Sequence, residues 1–93
     1  MIKTLKLFAT LRDLAGVKTI DVPFADGQTV RQLVADIEVA CPQLADEIVG
    51  SDGELTGQVH ILVHGRHIQW LDGLDTTIQE SDIVALIPPS AGG

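Results

Sequence analysis

Three features of the sequence predict an α+β domain, a mixed sheet of four or five strands with one main helix packed on one face. Segments with period-two alternation occur near the start and again after residue 57, and one helical apolar stripe lies between them. The final segment, Ile83 to Ile87, is apolar on both sides. A strand buried on both faces belongs in the middle of a sheet. One helix covers only one face of such a sheet, so the other face must be explained separately.

Each element has a local reason. Ile2 to Phe8 alternates, with Leu5 and Leu7 pointing one way and Thr4, Lys6 and Phe8 the other. Leu11 to Ala15 reads as a turn or helical fragment closed by Gly16, and Val17 to Val22 as a second strand punctuated by Pro23 and Asp26-Gly27. Thr29 opens the main helix with Gln32 as its capping-box partner. Val30, Leu33, Val34, Ile37 and Cys41 form its apolar stripe, and Pro42 ends it near Cys41. Leu44 and Ile48 suggest a short second helical piece up to Gly50. Residues 51–57 form a polar loop. Gln58 to Val63 is a third strand, and His64-Gly65 suits a two-residue hairpin turn, because both residue types tolerate positive φ. Arg66 to Trp70 then returns as a strand, and 71–82 is a meandering connection into the last strand.

Composition bounds the function. Ninety-three residues, 45% of them apolar and 20% charged, make one domain with a modest core. The longest apolar runs are about five residues, against about 20 for a membrane span, so no membrane partner is expected. Lys3 and Lys6 interleave with apolar residues, as in a strand and not a signal peptide. The single cysteine excludes an internal disulfide framework and points to a reducing, cytoplasmic setting. A formal charge of −7 and only three aromatic residues argue against nucleic-acid binding.

The chemistry-bearing residues mostly have plain readings. His60, His64 and His67 invite a metal, but across a hairpin His60 and His67 lie diagonally at about 7–8 Å and nothing at ligand spacing completes a zinc site. No metal is expected. Cys41, at the end of the helical stripe, reads as a core residue. Asp36, Glu38, Asp46 and Glu47 read as a solvated acidic face, and Gly50, Gly53 and Gly57 lack the spacing and the lysine of a phosphate loop. Phe8, opposite Leu5 and Leu7, leaves apolar surface on the uncovered side, either a protein-binding patch or the floor beneath a loop.

The tail differs from these. The last strand runs into Pro88 and Pro89, which fix φ and favour an extended exit. Ser90, Ala91, Gly92 and Gly93 then extend by about 13 Å at most, and paired glycines present no side chain to obstruct a narrow channel. The end carboxylate is the group such a stalk presents. The expected division is a domain over residues 1–89 and a flexible tail over 90–93.

Four segments together resemble the MoaD-like and ThiS-like ubiquitin-fold sulfur carriers, most closely the MoaD branch, the small subunit of molybdopterin synthase. They are Phe8 to Gly16, Thr29 to Leu33, Ile61 to Arg66, and Asp82 to Gly93, the last with proline pair and diglycine in register. The resemblance implies a β-grasp fold with first and last strands parallel at the sheet centre. It further implies that an E1-like enzyme (MoaB/MoeB/ThiF type) adenylates the Gly93 carboxylate with MgATP. A sulfur donor such as a cysteine desulfurase or rhodanese then supplies the sulfur that makes a thiocarboxylate. A large synthase subunit of the MoaE type would receive that sulfur and form the pterin dithiolene.

On this carry-over Gly93 bears the transferred atom and Gly92 eases passage into the partner's active site. Phe8, Ile87, Pro88, Pro89, Ser90 and Ala91 contact partners. The chain needs no cofactor and has no catalytic centre of its own. Departures from the family pattern are His64 where asparagine is frequent, Ser81 where glycine is frequent, and Ser90 where an apolar residue is. Extra length at 42–57 disfavours the thiamin pathway, and a sulfur carrier for thiamin or another pathway stays an alternative. The same tail also suits a ubiquitin-like modifier that forms isopeptides with lysines, and a plain interaction domain with an inert tail is the third possibility.

Overall fold

The computed structural model describes residues 1–89 of the chain. The first strand, β1 (Ile2–Leu7), leads into a short helix α1 (Thr10–Ala15) and returns as β2 (Thr19–Pro23). A two-residue strand β3 (Gln28–Thr29) runs directly into the main helix α2 (Val30–Ala40), and α3 (Pro42–Ile48) follows. The hairpin β4 (His60–Val63) and β5 (Arg66–His67) comes next, then 3-10 turns at Ile68–Trp70 and Gly73–Asp75, the short β6 (Thr77–Ile78) and finally β7 (Val84–Ile87).

The main sheet has the order β2-β1-β7-β4-β5, with β1 and β7 parallel and the other neighbours antiparallel. The last strand therefore occupies the centre, where its apolar sequence required it. Leu5, Leu7, Val84, Leu86, Ile61 and Val63 point inward and meet Val30, Leu33, Val34 and Ile37 of α2 in one core. Cys41, Leu44, Ala45 and Ile48 extend that core beneath α3. The topology, a helix laid across one face of a sheet whose central strands come from opposite ends of the chain, is the β-grasp.

The caps work as the sequence indicated. Thr29 accepts from the Gln32 amide at 3.2 Å while the Gln32 side chain accepts from the Thr29 amide at 3.0 Å. Cys41 ends α2 and Pro42 starts α3, since a proline at the first helical position gives up only an N–H without an intrahelical partner. Gly16 closes α1 at φ 78°, and His64 and Gly65 take φ of 53° and 78°, the paired positive values a tight hairpin needs.

Five details depart from expectation, the first being that the third strand starts at His60 and not at Gln58. The second strand begins at Thr19, not Val17, because Gly16 caps α1 and residues 17 and 18 complete the turn. Ile68 to Trp70 forms a 3-10 turn instead of continuing β5, which drives Ile68 into the core and turns Trp70 outward. The small β3–β6 sheet has no counterpart in the sequence pattern, since two-residue strands carry no periodicity. β7 is buried on its inner side only; Ala85 and Ile87 are half-buried and Ile83, which precedes the strand, is exposed.

Lys3 is the largest surprise. Alternation places it on the inner face with Leu5 and Leu7, and it is only 6% exposed. Its ammonium donates to the carbonyls of Gln79 at 3.0 Å, Glu80 at 2.9 Å and Asp82 at 2.7 Å, and lies 4.4 Å from the centre of the Phe24 ring. Three donors thus meet three acceptors, which is what a buried ammonium requires. The lysine ties the first strand to the turn that feeds the last.

Candidate functional site

Strand pairing determines what the outer face of the sheet presents. Lys6 pairs with Ala85 and Ala85 with Leu62, while His60 pairs with Ile87. Phe8 continues β1 beyond this register and its amide donates to the Leu86 carbonyl at 3.2 Å, which brings it alongside Ile87. The outer face therefore carries Phe8, Ile87, Ala85 and Leu62 as an apolar band, with Lys6 and His60 beside it, and none of these residues is buried. Of the two readings of Phe8, the structure favours the open patch.

Phe8 is held by its own connection. Ala9 takes φ 52° and ψ −129°, a conformation suited to glycine and worth about 1–3 kcal/mol of strain in other residues. The bend turns the chain off the sheet into α1, with the Leu11 amide donating back to the Phe8 carbonyl at 3.1 Å. Arg12 supports it: its Nε donates to the Leu7 carbonyl at 2.7 Å and its guanidinium stands 5.4 Å from the centre of the Phe8 ring. Neither the strain nor the arginine clamp was legible beforehand, because no local pattern distinguishes Ala9 from an ordinary helix-preceding alanine.

The exit from β7 runs past α1. Pro88 and Pro89 are half-buried and line a cleft with Thr10, Leu11 and Leu14 of α1, Glu47 of α3 and Gln58. The stalk thus starts against the flank of α1, close to the end of the sheet that carries Phe8 and Ile87. Ser90, Ala91, Gly92 and Gly93, the remaining site residues named from the sequence, lie outside the described residues.

The other candidates resolve into structure. The His60 and His67 rings are closer than diagonal placement implied, with centroids 4.7 Å apart and the rings at 60°. Nδ1 of His67 accepts from the Gln69 amide at 2.9 Å, so its lone pair is already engaged. Burial, and then the neighbouring His60, lower the pKa of His67 below the ordinary histidine value. Among the described residues no three potential ligands gather. Cys41 is buried in the core, and Asp36 accepts a hydrogen bond from Gln28 at 3.2 Å. No helix among the described residues is long and apolar enough to cross a membrane.

Fold and surface together define a ubiquitin-like domain with an apolar outer face beside the base of its C-terminal segment. The ThiS family model matches residues 5–93, and the chain belongs to that family. It is 36% identical over 89 residues to small archaeal modifier protein 3 of Haloferax volcanii, covering 96% of each chain. It is 35% identical over 69 residues to a putative sulfur carrier protein of Archaeoglobus fulgidus, covering 74% of this chain and 78% of that one. Among solved structures, it matches a putative molybdopterin converting factor subunit 1 from Pyrococcus furiosus with a TM-score of 0.72 at 28% identity, covering 96% of this chain and 98% of that one.

Proposed function

We propose that this protein is a sulfur carrier whose Gly93 carboxylate is activated and loaded by partner enzymes, with residues 90–93 acting as the presented tail. The observation that carries the reading is the family match through residue 93, joined to a fold in which the segment before the tail leaves the central strand of the sheet. The chemistry explains why no catalytic group is needed here. A carboxylate is a poor acylating agent, so one of its oxygens attacks the α-phosphorus of MgATP and pyrophosphate departs. The acyl-adenylate then has a good leaving group. The outer sulfur of a donor persulfide attacks the acyl carbon and AMP leaves. A second thiol then attacks the donor's own sulfur in the resulting acyl disulfide, forms a disulfide with the donor and releases the thiocarboxylate. The outer face with Phe8 and Ile87 is the surface on which the adenylating enzyme docks, at the end of the sheet from which the stalk leaves.

The resemblance of the tail to the MoaD branch and the Pyrococcus structure support transfer onward to a pterin, in a complex with a larger synthase subunit. A second reading has its own support. The Haloferax relative, matched over nearly the whole chain, is named a modifier, and the same acyl-adenylate attacked by a lysine amine would give an isopeptide.

Two measurements together separate them. The chain is incubated with its adenylating enzyme, MgATP and a sulfur donor, and its intact mass is followed. Exchange of one oxygen for sulfur at Gly93 is the expected result, and absence of exchange rejects the carrier reading. A parallel search of cell extract for lysines bearing a Gly-Gly remnant is expected to be empty if the protein is a carrier alone.

A further inference from the structure

We propose that Trp70 is a docking anchor for the adenylating enzyme and that His67 is the residue that positions it. The inference rests on the reading that this enzyme approaches the outer face of the sheet. Trp70 is the only tryptophan of the chain and is 79% exposed. Together with Leu62, Gly65, Arg66, His67 and Leu71 it lines a cleft of about 560 Å³. Leu62 belongs to the apolar band that includes Ala85 and Ile87, and it pairs with His67. The cleft is therefore a continuation of the outer face across the β5 edge, at the side opposite Phe8. A large exposed indole next to aliphatic side chains is the kind of residue on which binding energy concentrates.

The chemistry of the cleft specifies its occupant. Leu62, Leu71 and the indole offer an apolar floor, and Arg66 supplies a cation on a chain whose net charge is −7. No carboxylate lies within ion-pair distance of Arg66 among the described residues. An enzyme segment that places an apolar side chain beside a carboxylate fits both features. A second copy of this acidic chain is repelled at long range.

Local geometry makes His67 the positioning residue. It precedes the 3-10 turn Ile68–Trp70 with extended backbone, φ −65° and ψ 132°, and its Nδ1 accepts the Gln69 amide at the second position of the turn. That bond needs a neutral ring with its proton on Nε2. Ile68 is fully buried and cannot move outward, so the cap decides how the rest of the turn, and Trp70 with it, is held.

Protonation of Nδ1 would set one N–H against another and free the turn. The titratable group facing the ring is His60 of β4; Arg66 is its chain neighbour, and the turn itself presents the uncharged Gln69 and Trp70. Burial opposes protonation first, and the neighbouring His60 ring, 4.7 Å away between centroids, opposes it further. Because the folded-state value is depressed, the cap is intact at neutral pH and is lost as pH falls below the ordinary histidine range.

The test measures affinity for the adenylating enzyme at about pH 7.5 and about pH 5.5, with tryptophan emission of the isolated chain titrated alongside. Trp70→Ala is expected to weaken binding at least about 10-fold with an unchanged melting temperature. His67→Asn keeps an acceptor for the Gln69 amide but does not titrate. It is expected to bind with the same affinity at both pH values, so that the extra loss the wild type shows at the lower pH disappears, and to flatten the emission titration. Wild-type affinity in Trp70→Ala overturns the proposal, and if Phe8→Ala still binds weakly the carrier reading stands without it. Equal pH dependence in wild type and His67→Asn overturns the positioning role. A dimer that Trp70→Ala dissociates overturns the choice of partner in favour of self-association.

Discussion

A chain lacking Gly93 is expected to acquire no sulfur and no adenylate, down to the background of the assay. The reason is positional. The acyl carbon has to reach the α-phosphorus of ATP inside the partner, and reacting atoms must approach to about 3–3.5 Å. Removing one residue draws the terminal carbonyl back by about 3.3–3.6 Å. Pro88 and Pro89 fix φ at the start of the stalk, which leaves little slack to recover this distance. Thermal unfolding is expected to be unchanged within about 0.5 kcal/mol, as for surface changes generally. A shortened chain that is still loaded would mean that the reacting group is elsewhere.

Lys3→Met is expected to be the most destabilising substitution of a charged residue in the described chain. The methionine fills the aliphatic path of the lysine but leaves the carbonyls of Gln79, Glu80 and Asp82 without their donor and Phe24 without its cation. Charge-assisted hydrogen bonds are worth about 1.5–3 kcal/mol each before the regained desolvation cost is set against them, so a net loss of about 2–4 kcal/mol is expected. For a domain of this size that lowers the melting temperature by about 10–25 °C. The exposed Lys6 on the opposite face provides the control, with Lys6→Met expected to shift stability by less than about 0.5 kcal/mol. A melting temperature unchanged in Lys3→Met would show that water replaces the ammonium at no cost. The consequence reaches function, since the 79–82 turn leads into β7 and hence into the tail.

These two residues mark what can and cannot be read from the chain. The elements that carry periodicity or capping chemistry were legible: Leu5 and Leu7 against Lys6 and Phe8, the Thr29–Gln32 box, the His64-Gly65 turn and the doubly apolar last strand. The central place of β7 followed from its composition alone. Lys3 was not legible as buried, because a lysine at an inward position looks like any strand lysine until the 79–82 turn, remote in sequence, brings three carbonyls to it. Arg66 to Trp70 has strand composition, so the residues alone point to a strand through Trp70. The His67 cap and the burial of Ile68, a tertiary contact, override that preference. Of the docking face, Phe8 stood out by its side of the strand, whereas the bend at Ala9 and the Arg12 clamp that hold it depend on geometry no residue pattern encodes.

The central claim is that the terminal carboxylate is the atom group another enzyme activates, and isotope exchange between pyrophosphate and ATP in the presence of the adenylating enzyme probes it most directly. The chain with a free Gly93 carboxylate is expected to support exchange, and the same chain ending in a carboxamide is expected to support none. Equal exchange with the carboxamide would contradict the account.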